Sequence, residues 1–163
     1  MLGHWVLREN LPERRFMTIS EISLLDTNIL VYASDETSPF HQAAVALREK
    51  GLRREIPLCI CSQVLSEFFA IVTDPKRVSS PRTQGEALLE MEKYFYSKSI
   101  LKIYPAPEIV DIMMGFLKRY EITKQEIFDL QLVATMLSNN VTRLYTYNQE
   151  DFSKFKEIEV LSP

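Results

Sequence analysis

Histidine is almost missing from this chain. Only His4 and His41 occur in 163 residues, so no Ser-His-Asp or Cys-His arrangement competes as a catalytic centre. His41 falls in the first turn of an expected helix, where packing or local capping accounts for it. Glycine is scarce too, at four, and no Gly-rich phosphate loop is present. Cysteine is confined to Cys59 and Cys61 in a C-I-C triplet within an apolar run. A disulfide at that spacing is strained, and a zinc site would need further Cys or His ligands. In a strand both thiols would share a face and pack as small hydrophobes.

Long apolar runs are lacking as well. No stretch approaches the roughly 20 residues of a membrane helix. The start, M-L-G-H-W-V-L-R-E-N-L-P-E-R-R-F, has early charges and no apolar core long enough for a signal peptide. A cytoplasmic protein without membrane association is expected. Positive charge is also not in excess. The net charge is -3 and the pI about 5.5, which gives no global attraction to nucleic acid. A polyanion would have to be held by local basic groups or by bound cations.

What is present is the material of one ordinary domain, 46% hydrophobic and 25% charged. Residues 1–16 read as an N-terminal extension of open role and 17–163 as the domain proper. Short apolar runs at Ile22–Leu25, Pro57–Cys61, Ile100–Tyr104, Arg143–Thr146 and Ile158–Leu161 predict strands. Between them lie segments of helical period. Ser38-Pro39 marks a helix start and Gly51 its close. Ser62 caps a helix that Asp74-Pro75 ends. Further helices are expected over Gln84–Ser97, from Pro107 to about Tyr120, and after a Thr123-x-x-Glu126 capping box. Strands alternating with helices indicate an α/β domain with a mainly parallel sheet of four to five strands. In such sheets ligands bind beyond the carboxyl ends of the strands.

Four acids stand out against that rule. Asp26 directly follows the first strand in L-L-D-T-N-I-L-V-Y. Taken alone it suits a helix cap first, and after that a crevice where a cation offsets its burial. Glu67 sits in S-Q-V-L-S-E-F-F-A-I-V, a helix apolar almost all round, although a narrow polar stripe with Gln63, Ser66 and Ala70 would also accommodate it. Asp129 lies among Ile127, Phe128, Leu130 and Leu132 in a helix, where Asp is a poor interior residue. Asp151 follows the fourth strand in T-Y-N-Q-E-D-F. Clustered carboxylates call for protonation or a divalent cation, and oxygen ligands favour Mg²⁺ or Mn²⁺ over zinc. Such ions bind phosphates and activate water.

The wording of these segments resembles the PIN-domain family, especially VapC-like toxins of bacterial toxin–antitoxin pairs. The pieces are L-L-D-T-N-I-L-V-Y-A, S-P-F-H-Q-A-A, I-C-S-Q-V-L-S-E-F-F-A-I-V-T-D-P-K-R, I-F-D-L-Q-L-V-A-T-M-L and R-L-Y-T-Y-N-Q-E-D-F, in family order from Ser23 to Phe152. The resemblance implies a three-layer α/β/α PIN-like fold and a Mg²⁺-dependent endoribonuclease, with Mn²⁺ as the other ion it allows. Asp26, Glu67 and Asp129 match the family's principal acids, with Asp26 and Asp129 as direct metal ligands. The fourth acid is assigned to Asp151, because Asn148 occupies the position that is acidic in many relatives. Thr27, Asn28, Thr146 and Asn148 would orient the ligands.

The resemblance also implies an RNA substrate, a homodimer and a small antitoxin partner. Lys76, Arg77 and Arg82 are candidates for guiding the RNA backbone, and equally for solvated surface. The apolar faces around Ile109–Leu117 and Val64–Val72 would suit partners, or the core. The alternatives are a non-cleaving PIN-like RNA-binding or scaffold module, for which Asn148 speaks, and a stand-alone RNA-processing nuclease. A receiver or haloacid-dehalogenase-type phosphatase shares the architecture, but Asn28 stands where the latter wants a second Asp.

Overall fold

The computed structural model describes residues 21–163, so the proposed extension 1–16 and His4 lie outside the described residues. Five short strands form one sheet in the order β3-β2-β1-β4-β5, every neighbouring pair parallel. They are β1 (Ser23–Leu25), β2 (Leu58–Cys61), β3 (Ile100–Ile103), β4 (Arg143–Tyr145) and β5 (Glu159–Leu161). Each is trimmed at one end relative to the apolar run that predicts it. At β2 the reason is chemical: Pro57 has no N–H for the ladder, and its carbonyl accepts from Ser23 N at 3.1 Å.

The helices are α1 (Thr27–Ser34), α2 (His41–Leu52), α3 (Ser62–Val72), α4 (Gln84–Phe95), α5 (Ile109–Leu117), α6 (Glu126–Ser138) and α7 (Gln149–Phe152). They pack in two sets, α1 with α2 and α3, α3 with α4, and separately α5 with α6, α6 with α7. Right-handed crossovers require this division. The chain moves outward from β1 through β2 to β3, then back past them to β4 and β5, which places the later helices on the opposite face. The sheet is therefore covered on both sides, and Leu24, Leu25, Leu58, Ile60 and Leu144 are fully buried. Each contributes about 2 kcal/mol through burial. Cys59 and Cys61 are buried, free thiols in this layer.

Three helix starts lie further along than their sequence signals. Ser38 and Pro39 precede α2 rather than opening it; the Ser38 hydroxyl accepts from Phe40 N at 3.2 Å and closes a turn instead. Pro107 likewise stands two residues before α5. At α6 only half of the capping box forms, Glu126 accepting from Thr123 N at 2.8 Å, because Lys124 takes a left-handed φ of 51° and delays the first turn. Ser62 is the first residue of α3, with Cys61 as its cap. Gly51 does not terminate α2; a side chain there would strike Leu58, so close approach of helix to strand requires it. His41 Nδ1 lies 3.0 Å from the Tyr32 carbonyl, a local contact.

Candidate active site

The strand order reverses between β1 and β4, and an open parallel sheet parts its connections at such a point, leaving a crevice. Asp26 is the first residue beyond β1 there, and Thr146 the first beyond β4. The Asp26 amide still donates to Tyr145 O at 3.0 Å, so the two strand ends are locked together at this corner.

Asp26 is a helix cap and also a buried acid at the crevice. It caps α1, Oδ1 accepting from Thr27 N at 2.7 Å, and it is 7% exposed. Oδ2 accepts from Thr146 Oγ1 at 2.6 Å and from Asn28 Nδ2 at 2.9 Å. The Thr146 hydroxyl in turn accepts from Asn28 Nδ2 at 3.0 Å and from Asn148 N at 2.9 Å, which uses its one proton and both lone pairs. Asn28 Oδ1 takes Tyr147 N at 3.2 Å. Asp26, Asn28 and Thr146 thus form a nearly saturated network in which Oδ1 of Asp26 and Oδ1 of Asn28 each keep one lone pair free of donors. Burial pushes the Asp26 carboxyl up from its ordinary value. Hydrogen bonds from Thr146 and Thr27 oppose that push, and the charges of Glu67 and Asp151 add to it.

Glu67 is part of the same assembly rather than of a solvated stripe. Its Oε2 accepts from Thr27 Oγ1 at 2.9 Å and its Oε1 from Gln63 Nε2 at 2.9 Å, one turn earlier on α3. Gln63 Nε2 also reaches Phe128 O at 2.9 Å, which ties α3 to the first turn of α6 across the crevice. Both neighbours of that nitrogen are acceptors, so the amide orientation follows from chemistry. Ser66 and Ala70 are exposed and take no part.

The other side of the crevice is built differently. Asp129, in the first turn of α6, has no hydrogen-bond partner among the described residues. Its carboxyl is pushed up from 3.8 to about 6, first by burial and then by the charges of Asp151, Asp26 and Glu67, with Lys154 opposing. Asp151 is exposed on α7, a helical turn where sequence alone suggests a loop. Asn148 caps α7 only through its backbone; its side chain is exposed and makes no cap bond. Tyr147, Asn148, Gln149, Glu150, Asp151 and Ser162 line an open groove of about 550 Å³ that borders the acids at Asp151.

All four predicted acids are therefore electrically coupled in one crevice. Sequence reasoning missed Lys154, which bonds Glu126 Oε1 and holds that carboxyl down near about 2 while screening Asp129. Gln63 was legible only as a polar neighbour, although its spacing of four from Glu67 is the signal for their contact. The guiding role considered for Arg82 meets a competing use. Its guanidinium bonds the Ser34 carbonyl and its amide the Val72 carbonyl at 2.7 Å. That loop, with exposed Lys76 and Arg77, hangs from the C-terminal ends of α1 and α3, about 12 Å along α1 from Asp26.

Among the described residues no three His, Cys, Asp or Glu side chains form a ready-made ligand group for a metal ion. The donor set still has the chemistry of a Mg²⁺ site. Its donors are oxygens, its charge is uncompensated, and Mg²⁺ is commonly bound by one or two carboxylates with water completing the shell.

The chain is 27% identical over 140 residues to Ribonuclease VapC24 of Mycobacterium tuberculosis, covering 85% of this chain and 94% of that protein. The fold is shared with M. tuberculosis VapC20, described as a Sarcin-Ricin loop cleaving toxin, at a TM-score of 0.60 and 14% identity over 84% of this chain and 98% of that one. It is shared too with a toxin–antitoxin complex from Klebsiella pneumoniae, at a TM-score of 0.54 and 17% identity over 84% and 95%. The model of the PIN domain matches residues 23–158, every described strand and helix except β5, and the chain belongs to that family.

Proposed function

We propose that this protein is a divalent-cation-dependent endoribonuclease and the toxin half of a toxin–antitoxin pair, with residues 17–163 as its nuclease unit. The observation that carries the reading is the convergence of Asp26, Glu67, Asp129 and Asp151 on the crevice at the sheet's switch point, where burial first and then the neighbouring carboxylates raise the pKa of Asp26 and Asp129. The ribonuclease name of the 27%-identical relative supports the substrate class.

Asp26 and Asp129 would hold a Mg²⁺ or Mn²⁺ ion, Asp26 through the spare lone pair of Oδ1 and Asp129 through its unpartnered carboxylate. A bound ion there would neutralise phosphate charge and lower the pKa of a water. Asn28 and Thr146 fix the Asp26 carboxylate in one orientation, so no rotamer search precedes binding. Thr27 and Gln63 do the same for Glu67, which, with Asp151, would hold a second ion or the attacking water. Lys154 stands beside Asp129 as a counter-charge to the phosphate. Asn148 is a neutral polar contact near the same groove.

An antitoxin and a second copy of the chain are the partners we infer. On α5, Val110, Met114 and Leu117 are 59%, 48% and 45% exposed and recur at helical spacing, which supports a docking face there. The apolar side of α3 offers no such face, since Val64, Leu65, Phe68 and Val72 are buried in the core. Among the described residues no helix is long and apolar enough to cross a membrane.

The test is incubation of purified wild type and Asp26→Asn with total RNA, with and without Mg²⁺. Defined fragments are expected only from wild type with Mg²⁺. Equal cleavage by Asp26→Asn would overturn the site. RNA retention with no product under any condition would point to a non-cleaving module.

A further inference from the structure

Tyr32, Phe40 and Tyr147 form an aromatic cluster at the edge of the core, against which Tyr32 and Tyr147 pack while Phe40 reaches solvent. Phe40 and Tyr147 lie 4.5 Å apart between ring centroids at 38°, Tyr32 and Phe40 5.1 Å apart at 41°, and Tyr32 meets Tyr147 edge-on at 5.2 Å. Phe40 is 42% exposed and, with Tyr32 and Tyr147 against it, belongs to a contiguous aromatic patch rather than standing alone on the surface. The cluster is tied to the acidic corner by one residue. Asn28, whose amide bonds Asp26, also holds the Tyr147 backbone. Tyr147 then lines the groove that continues through Asn148 and Gln149 to Asp151.

Charge makes this position informative. The protein is net negative, and its exposed basic loop, with Lys76 and Arg77, sits at the C-terminal ends of α1 and α3, about 12 Å along α1 from Asp26. Lys154, the basic group beside the acids, is already bonded to Glu126, so phosphate contacts add little grip there. Single-stranded RNA can instead be held by base stacking, which needs no charge. The Tyr147 hydroxyl points the same way: it is buried and has no hydrogen-bond partner among the described residues. Phenylalanine would avoid the cost of leaving that hydroxyl unpaired.

We propose that Phe40 and Tyr147, backed by Tyr32, form a stacking platform for one unpaired base of the RNA, next to the phosphate cleaved at Asp26. Asn148 and Gln149 present amide groups along the adjoining groove, where a base edge or a ribose hydroxyl could pair. This inference rests on the ribonuclease reading and adds how the substrate is gripped.

The test compares wild type, Phe40→Ala and Phe40→Trp on a short single-stranded RNA carrying 2-aminopurine. Binding is followed by fluorescence in EDTA and cleavage in Mg²⁺, with melting curves to check the fold. Wild type should quench the probe. Phe40→Ala should lose the quench and raise KM about tenfold with kcat little changed, since stacking of one base contributes an effect of that order. Phe40→Trp should restore both. Unchanged KM and quench in Phe40→Ala, with wild type active, overturns the platform and leaves the nuclease intact. A wild type that neither binds nor cleaves any RNA overturns the nuclease reading, and the platform with it.

Discussion

The two walls of the crevice are built to different rules. On the β1–β4 wall, Asp26 is buried and receives three donors, and the hydroxyl that supports it is itself saturated. On the α6–α7 wall, Asp129 is half-buried without a partner and Asp151 is exposed. One wall fixes its carboxylate through hydrogen bonds from the ends of two paired strands, while the other leaves its carboxylates to repel each other. A buried network of neutral donors around a carboxylate orients a ligand before any ion arrives. Unpaired acids opposite it store the electrostatic cost that an arriving cation relieves. The wall that orients should be intolerant of change in both fold and activity. The wall that attracts should trade stability against function.

The sharpest way to break this contrast is to remove the charge on the orienting wall. Asp26→Asn retains a good N-cap for α1. One amide hydrogen pair must then face donors from Asn28 or Thr146, while the desolvation of a buried charge disappears. Stability should move by no more than about 1 kcal/mol, whereas cleavage should fall by at least about a hundredfold. Thr146→Val comes next. It leaves Oδ2 of Asp26, Nδ2 of Asn28 and the Asn148 amide each short of a partner, so a loss of about 2 kcal/mol in denaturant unfolding is expected. A Thr146→Ser variant, which keeps the hydroxyl, should recover most of it. If Thr146→Val unfolds like wild type, the network does not support the corner as described.

Sequence legibility divides along the same line. Asp26, Asn28 and Thr146 sit at strand ends, where a short apolar run stops at a polar residue, and a parallel sheet turns such endings into one crevice. The acids on helices were legible as misfits, Glu67 and Asp129 among apolar neighbours. Lys154 was not, because its meaning depends on α7 folding where T-Y-N-Q-E-D-F reads as a loop. The delayed starts of α2, α5 and α6 have a comparable cause. Ser38, Pro107 and Thr123 carry real turn chemistry, but each turn is completed before the helix begins, and only the tertiary path decides that. The aromatic trio joins residues more than a hundred positions apart, a contact that no local pattern announces.

On the attracting wall the expected effects are smaller and of opposite sign. Mg²⁺ should raise the melting temperature of wild type in proportion to its occupancy of the native state, as any ligand specific to the folded form does. Asp129→Asn should abolish most of that increment while Thr146→Ser keeps it. An equal Mg²⁺ response in Asp129→Asn would remove Asp129 from the ligand set.

The smallest effect is the most diagnostic of how this wall works. In the metal-free protein the Asp129 carboxyl titrates near about 6 rather than at its ordinary 3.8. A carboxyl whose folded pKa lies above its unfolded value binds protons more tightly when folded. It is therefore neutral with respect to stability below about pH 4, and destabilises progressively as pH rises through 4 to 6. At full strength that rise corresponds to about 3 kcal/mol at pH 7, and partial exposure of the group reduces it to about 1 kcal/mol. Asp129→Asn should accordingly be about 1 kcal/mol more stable than wild type at pH 7 in EDTA and equal to it near pH 4. Saturating Mg²⁺ should erase the advantage at pH 7, because wild type then has its counter-charge. A variant less stable than wild type at pH 7 without metal would mean that Asp129 is a structural partner of some donor, and the two walls would no longer differ in kind.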